Sequence, residues 1–496
     1  MSYDAIVAGG GHNGLVCAAQ LARAGRRVVV VERRERTGGI LDGVVSTVGR
    51  LWPAVVSELQ LERHGLELVR PDVRMLSLRD GGPPLTFWAD PARTAEELAA
   101  VSPEDGSAYP RFDAHVRALA RFLGELADVT PPRLDSGATG DWQAGLRLAR
   151  AYRRLSARAA RELTRAVPMA AADFVGEWFT SDAVRGPLAA RGSLFTAMGP
   201  WSAGTALVLL TDSAGNDGGA AGQTAFAKGG PAALARALEA AAAAAGAEVR
   251  TGAEVAALRV RGGRVTGVTL ASGEEIEAPV VACGVDPKTV LTRWLDPEEA
   301  GPRLRWRAGN IRTPGATAAV ELRLAAAPEL AGGGAAERLR GRIVVAPGID
   351  HVERAFDCWK YGAMSERPYL EATLAEGSMH VLAQWVPHAA DPDQVGDLVV
   401  SELERHFPGL SGLVTDRRVL TPALIERELG ITGGHVYHAE PGLDQFFAWR
   451  PVLGMARYRL PVRGLYLCGS GAHPGGGITG GPGRNAAREI LADVER

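Results

Sequence analysis

Ala5-Ile6-Val7-Ala8-Gly9-Gly10-Gly11-His12-Asn13-Gly14 joins a short apolar run to three spaced glycines. Residues 3–8 read as a strand, because a brief, continuous apolar segment bounded by glycine suits a strand covered on both faces. Gly9, Gly11 and Gly14 form a G-x-G-x-x-G. The first permits a tight turn, the second lets a pyrophosphate approach the backbone, and the third lets helix and strand pack closely. Ala18, Leu21 and Ala22 then continue at helical spacing until Gly25. The helix start offers unpaired N–H groups and a positive dipole end to phosphate. Residues 27–31 make a second strand that ends on Glu32, where a carboxylate can bind ribose hydroxyls. His12 and Asn13, within the glycine turn, complete a candidate dinucleotide set of Gly9, Gly11, His12, Asn13, Gly14 and Glu32.

Arg33-Arg34-Glu35-Arg36-Thr37-Gly38-Gly39 follows. A basic residue ahead of a Gly-Gly pair resembles the FAD proteins of the glutathione-reductase superfamily, in which the glycines let the chain pass close to the dinucleotide. Arg33, Gly38 and Gly39 therefore join the candidate set. Arg34 and Arg36 are divided between a cofactor contact and a solvated turn.

Two later blocks point the same way. Gly229-Gly230-Pro231 opens a helix with proline at its first position. Short strands follow over 248–250, 255–261, 264–270 and 275–278, with turns at Gly262-Gly263 and Ser272-Gly273, then a buried strand over 280–283 and Gly284. Near the other end, Gly464-Leu465-Tyr466-Leu467-Cys468-Gly469 is a strand ending in glycine. A glycine-dense loop and a helix over 484–494 come after it. Successive backbone N–H groups in such a loop form an anion nest. Gly284, Gly469, Gly471, Gly477, Ile478 and Thr479 are the candidates here.

Together these blocks, with Gly199-Pro200-Trp201-Ser202-Ala203-Gly204-Thr205-Ala206, Gly433-Gly434 through His438, Gln445 and Arg450-Pro451, resemble the phytoene-desaturase-like flavoproteins. Within them the chain is most similar to the group called pyridine nucleotide-disulphide oxidoreductase domain-containing protein 2. The resemblance implies FAD, an α/β fold with a glutathione-reductase-type Rossmann FAD domain interleaved with an α+β substrate (cap) domain, and an apolar or amphipathic small-molecule substrate. It assigns 1–70, 221–299 and 459–496 to the FAD domain and 71–220 and 300–458 to the cap. It also implies that the backbone of Val255 meets the adenine. One departure stands out: the chain from Gly39 to the helix near Val55 is about ten residues shorter than the family pattern, which puts ring contacts between Ile40 and Arg50 in question.

Composition narrows the alternatives. With 496 residues the chain is too long for one core, and 46% hydrophobic with 23% charged residues is an ordinary globular balance. A net charge of −2 supplies no global pull toward nucleic acid. Cys17, Cys283, Cys358 and Cys468 contain no C-x-x-C pair, so free buried thiols and a reducing, cytoplasmic setting are expected. No metal site is expected. The stretch from Ala5 opens a nucleotide motif, so no secretory signal is expected, and no uninterrupted apolar run is long enough to span a membrane. Residues 146–165 read as one helix with Arg147, Arg150, Arg154, Arg158, Arg161 and Arg165 on a shared face. That face either sits in water or lies on an anionic membrane surface, a peripheral contact. Gly332-Gly333-Gly334 reads as a loop rather than a second dinucleotide fingerprint, because no convincing strand precedes it.

The expected chemistry is dehydrogenation, with hydride passing from a substrate C–H to flavin N5. His473 is the candidate catalytic residue, because it sits in the glycine loop with a pKa range suited to proton transfer. It can equally serve only to hold that loop. His435, His438 and Glu440 form a second polar cluster, facing either the substrate or the surface. Three rival functions use the same fold: an amine oxidase, a flavin-dependent isomerase, and a lipid- or partner-binding module without catalysis. The motifs leave oligomeric state open.

Overall fold

A computed structural model describes residues 3–133, 139–333 and 335–495. Four valines in succession, Val28–Val31, and Ala5–Ala8 are buried at every position, which only a sheet covered on both faces can accommodate. They lie at the centre of a five-stranded parallel sheet. Its order is Leu465–Leu467, Val281–Cys283, Ala5–Ala8, Val28–Val31, Glu248–Arg250. The strand nearest the chain's end thus pairs two places from the strand nearest its start.

Three helices close this sheet. His12–Arg23 follows the glycine turn and packs on Pro231–Ala244 and on Gly481–Val494. The last contact is very close: a Cβ on Gly483 would lie 2.0 Å from the Asn13 carbonyl oxygen. Strands Val255–Arg261, Arg264–Leu270 and Glu275–Glu277 form a small antiparallel meander beside it. The backbone N–H of Ala253 ties that meander to the Glu32 carbonyl at 2.8 Å.

A second sheet has seven strands, in the order Val414–Leu420, Thr317–Leu324, Ser378–Gln384, Leu370–Ala375, Arg342–Val345, Val73–Leu78, Leu85–Trp88. Its only parallel pair is Arg342–Val345 with Val73–Leu78. Helices Pro103–Asp128, Ala171–Gly176, Asp182–Ala190 and Thr205–Asp212 bury an aromatic core against one side, centred on Phe112, Phe174 and Phe179. The facing core, from Leu76 to Leu410, is aliphatic apart from Met379 and Phe407.

The single helix expected over 146–165 is two helices, Thr139–Arg153 and Ala157–Ala166. Ser156 causes the break: its hydroxyl accepts the Ala159 N–H at 3.1 Å and caps the second helix. The six arginines are exposed, but they no longer share one continuous face. Arg147 is paired with Glu125 and Asp128, and Arg165 with Glu162 and Glu177. Among the described residues no helix is long and apolar enough to cross a membrane, and the four cysteines are unbridged. Gly332 and Gly333 form a turn, while Gly334 lies outside the described residues.

Candidate functional site

At the carboxyl edge of the parallel sheet, where ligands of such folds bind, a cavity opens among Gly9, Gly11, His12, Asn13, Glu32 and Gly284. Gly9 adopts φ 112°, a left-handed turn that favours glycine. Gly14 is forced by packing: a Cβ there would lie 2.1 Å from the Gly9 carbonyl oxygen. Gly11 differs, because a Cβ on it would meet nothing within 4 Å. Its bare face looks into the cavity. Glu32, 9% exposed, accepts the Gly10 N–H at 2.7 Å and the Arg34 N–H at 3.0 Å, so the carboxylate is held at the end of its strand.

Among the described residues, four buried polar atoms on the walls of this cavity have no hydrogen-bond partner: His12 Nε2, Asn13 Oδ1, Arg34 Nη1 and His438 Nδ1. Buried polar groups are almost always paired. A cluster of orphans around an open glycine face therefore calls for a polar ligand, and a dinucleotide with its ribose and pyrophosphate fits that donor set. Asp286 forms the opposite wall. It accepts hydrogen bonds from the N–H and hydroxyl of Thr289 and from the Thr432 hydroxyl at 2.8–3.0 Å, which fixes the loop carrying His438. His438 itself sits at φ 61°, a strained conformation for a non-glycine residue.

A second cavity continues from the first, and Ile40 and Val436 are walls of both. Its other walls include Val45, Arg50, Phe195, Asp212, Arg342, Glu371, Gly477 and Ile478. The shortened segment between Ile40 and Arg50 thus lines this cavity. A third, smaller space lies beyond Arg50 and is bounded by Trp52, His473 and Thr479. A broader surface groove around Arg117 and Arg484 shares no wall with the first two cavities.

The expected residues fall into three groups. Gly9, Gly11, His12, Asn13, Glu32, Gly39 and Gly284 line the first cavity. Gly14, Gly38, Gly469 and Gly471 support it by close packing: the Gly38 N–H donates to the Gly10 carbonyl at 2.9 Å, and a Cβ on Gly469 or Gly471 would lie 2.4 Å from Gly284 or Pro287. Gly477 and Ile478 line the second cavity, and Thr479 the third. The two ends of the chain meet here, with Asn13 Nδ2 donating to the Ser470 hydroxyl at 3.1 Å.

Two expectations need correction. Arg33 turns away, and its guanidinium donates to the carbonyls of Arg427 and Glu428. Arg34 lines the cavity instead, because the chain bends over residues 33–37 as it leaves the strand. Val255 is buried in the meander and is not a wall of the cavity. Asp286 and Arg50 were missed. The signal for Asp286 was its place just past a buried strand and Gly284, at the sheet edge where ligands bind.

His435 and Glu440 are buried, and His438 is half-buried. His435 Nε2 lies 2.8 Å from the Glu440 carboxylate. His473 is 1% exposed and its Nε2–H donates to the Leu126 carbonyl at 3.1 Å. Burial pushes His12, His380, His438 and His473 each down to about 4, since the charged ring loses its hydration. The folded state therefore holds these rings neutral where the unfolded chain protonates them. Stability from this source is complete above about pH 6.5 and is lost as pH falls toward about 4, at up to about 1 kcal/mol per pH unit for each ring. Urea unfolding near neutrality and near about pH 5 should give a much lower midpoint in acid. Equal midpoints would mean that these rings are not held neutral.

A model of the flavin containing amine oxidoreductase family matches residues 59–491, and one of an NAD(P)-binding Rossmann-like domain matches residues 7–46. The chain is 31% identical to pyridine nucleotide-disulfide oxidoreductase domain-containing protein 2 of Rattus norvegicus, over 99% of this chain and 94% of that protein. It is 25% identical to the lycopene-forming phytoene desaturase of a Paracoccus species, over 99% and 97%. Cyclohexylamine oxidase from Brevibacterium oxydans has the same fold, with TM-score 0.59, 16% identity and full coverage of both chains. The glycine cradle, its unpaired polar walls and these matches have one meaning: the chain belongs to the flavin-containing amine oxidoreductase family and is an FAD-dependent oxidoreductase.

Proposed function

We propose that the chain dehydrogenates an amphipathic small molecule held in the second cavity. Bound FAD supplies a hydride acceptor at N5. The observation that carries this reading is the pair of walls common to both cavities, Ile40 and Val436. A dinucleotide seated on Gly9–Gly14 and Glu32 would direct its far end past them, toward Gly477 and Ile478. The remaining roles belong to the chain. Glu32 and Asp286 fix the polar walls, the helix start at His12 faces phosphate, and Ile40, Val45, Phe195 and Ile478 exclude water from the apolar half of the second cavity.

We assign His473 to positioning. It is a wall of neither of the first two cavities, and its low pKa makes a weak base at neutral pH. Its hydrogen bond to Leu126 ties the glycine loop to helix Pro103–Asp128. His473→Asn should leave the pH–rate profile in place and lower kcat/KM by less than about tenfold. A profile that loses a limb near neutrality would restore an acid–base role.

The reading is tested on purified protein. A yellow sample absorbing near about 450 nm, as oxidised flavin does, is expected. Anaerobic bleaching by a C–H substrate, with a product two hydrogens lighter, supports dehydrogenation. Bleaching by amines alone, with peroxide released in air, would replace it by amine oxidation. A product of unchanged mass, formed only with reduced flavin, would replace it by isomerisation.

A further inference from the structure

The walls of the second cavity carry more charge than an apolar substrate requires. Arg50, Arg342, Asp212 and Glu371 all face it, and Arg191 stands behind Asp212 with its side chain 1% exposed. Three guanidinium groups against two carboxylates leave one positive charge in excess. Nearby ionic groups do not remove it: Asp113 is bonded to Arg117 at 2.7 Å, and Arg74 faces Asp217 at 3.6 Å. Burying an unmatched charge is costly, so the excess points to a missing anion.

The hydrogen bonds show which cation is unfilled. Arg342 donates to Glu371 at 3.2 Å, to the Thr224 hydroxyl at 3.2 Å and to the Ala221 carbonyl at 2.5 Å. Arg191 is bonded to Asp212, to the Ser213 hydroxyl and to the carbonyls of Gly219 and Ala220. Glu371 is held further by the Tyr369 hydroxyl at 2.8 Å. Arg191 Nε has no hydrogen-bond partner among the described residues, but both of its other guanidinium nitrogens are filled; Arg50 is held least. It donates to the Thr211 carbonyl at 3.0 Å, but it reaches the Tyr437 hydroxyl only at 3.5 Å. Its Nε has no hydrogen-bond partner and stands 3.6 Å from Asp212. Arg50 also separates the second cavity from the third. Apolar walls lie across from it, at Ile40, Phe195 and Ile478.

We infer that the substrate carries a carboxylate, seated on the guanidinium of Arg50 with its apolar body against Ile40, Phe195 and Ile478. This rests on the second cavity being the substrate cavity. An amine would meet the net positive charge and be disfavoured there. A neutral molecule would leave Arg50 unfilled.

The test is a titration of the purified holoprotein with straight-chain carboxylates from butanoate to dodecanoate, their amides and the corresponding alkylamines. Binding is read from the flavin spectrum and, independently, by calorimetry. At neutral pH at least one acid should bind about tenfold more tightly than its amide, since a charged acceptor roughly doubles the strength of the contact. The matching amine should bind more weakly still. Arg50→Met should abolish the preference for acid over amide while changing amide affinity by less than about twofold. The proposal is overturned if no chain length favours the acid, a result the wild-type protein gives even when the variant does not fold. It is also overturned if Arg50→Met keeps the preference, or if that variant alters only the flavin's reduction potential, which would make reduced flavin the matching anion. A colourless protein that still prefers acids by calorimetry would sink the oxidoreductase assignment and leave the acid site standing. A yellow protein indifferent to charge would do the reverse.

Discussion

Gly11→Ala is expected to yield a folded protein that no longer retains FAD. The added methyl meets no atom within 4 Å, and Gly11 has φ −67°, a conformation open to any residue. Its cost to the apoprotein should stay within about 1 kcal/mol, the scale of a helix N-cap change. The methyl would stand where a pyrophosphate must approach the backbone, so FAD affinity should fall about a hundredfold or more. The ratio of flavin to protein absorbance after purification measures the effect, and urea unfolding of both apoproteins provides the control. Gly14→Ala should behave differently, because its methyl would lie 2.1 Å from the Gly9 carbonyl. That change should destabilise the apoprotein itself by about 1–3 kcal/mol, the usual penalty of overpacking. Full flavin content in Gly11→Ala would mean that the cofactor does not pass over this turn.

Arg450→Met should cause the largest loss of stability. Arg450 is 1% exposed and forms no ion pair, yet its guanidinium donates to five carbonyls: Tyr437, Ala439, Glu440, Gln445 and Ser470. Burial pushes it down to about 10, which shows how little water surrounds it. It joins the loop that carries His438 to the loop that carries His473. Methionine would fill much of the volume and leave several of those oxygens unpaired. We expect a loss of about 3–5 kcal/mol together with lost flavin. A shift below about 1 kcal/mol in urea unfolding would show that the carbonyls find other partners. Lysine should recover only part of the loss, because it lacks the planar fork that reaches several acceptors at once.

The strand-turn-helix at Ala5–Arg23 was legible because each of its signals lies within a few residues of the next. The same holds for the strand and glycine loop before Gly481–Val494, and for the helix and meander between them. Arg33 was misassigned because spacing along the chain does not tell which side chain a bend leaving a strand turns toward the cavity. The 146–165 stretch was misread because evenly spaced arginines hid a capping serine at 156. The charged walls of the second cavity were not legible at all. Arg50, Asp212, Arg342 and Glu371 come from widely separated stretches, and only the packing of the seven-stranded sheet against the glycine loop brings them together. The shortened segment after Gly39 was seen as a deficit. The fold uses it to carry Arg50 into place.

The meeting of Gly483 with Asn13 has a consequence for biogenesis. A nascent chain that has not yet released residues 465–494 holds the N-terminal half of the cradle and lacks the strand and helix that close it, which must come back across most of the polypeptide. Stable flavin capture is expected only after these residues have emerged. Nascent chains paused before that point should be the most vulnerable to proteases.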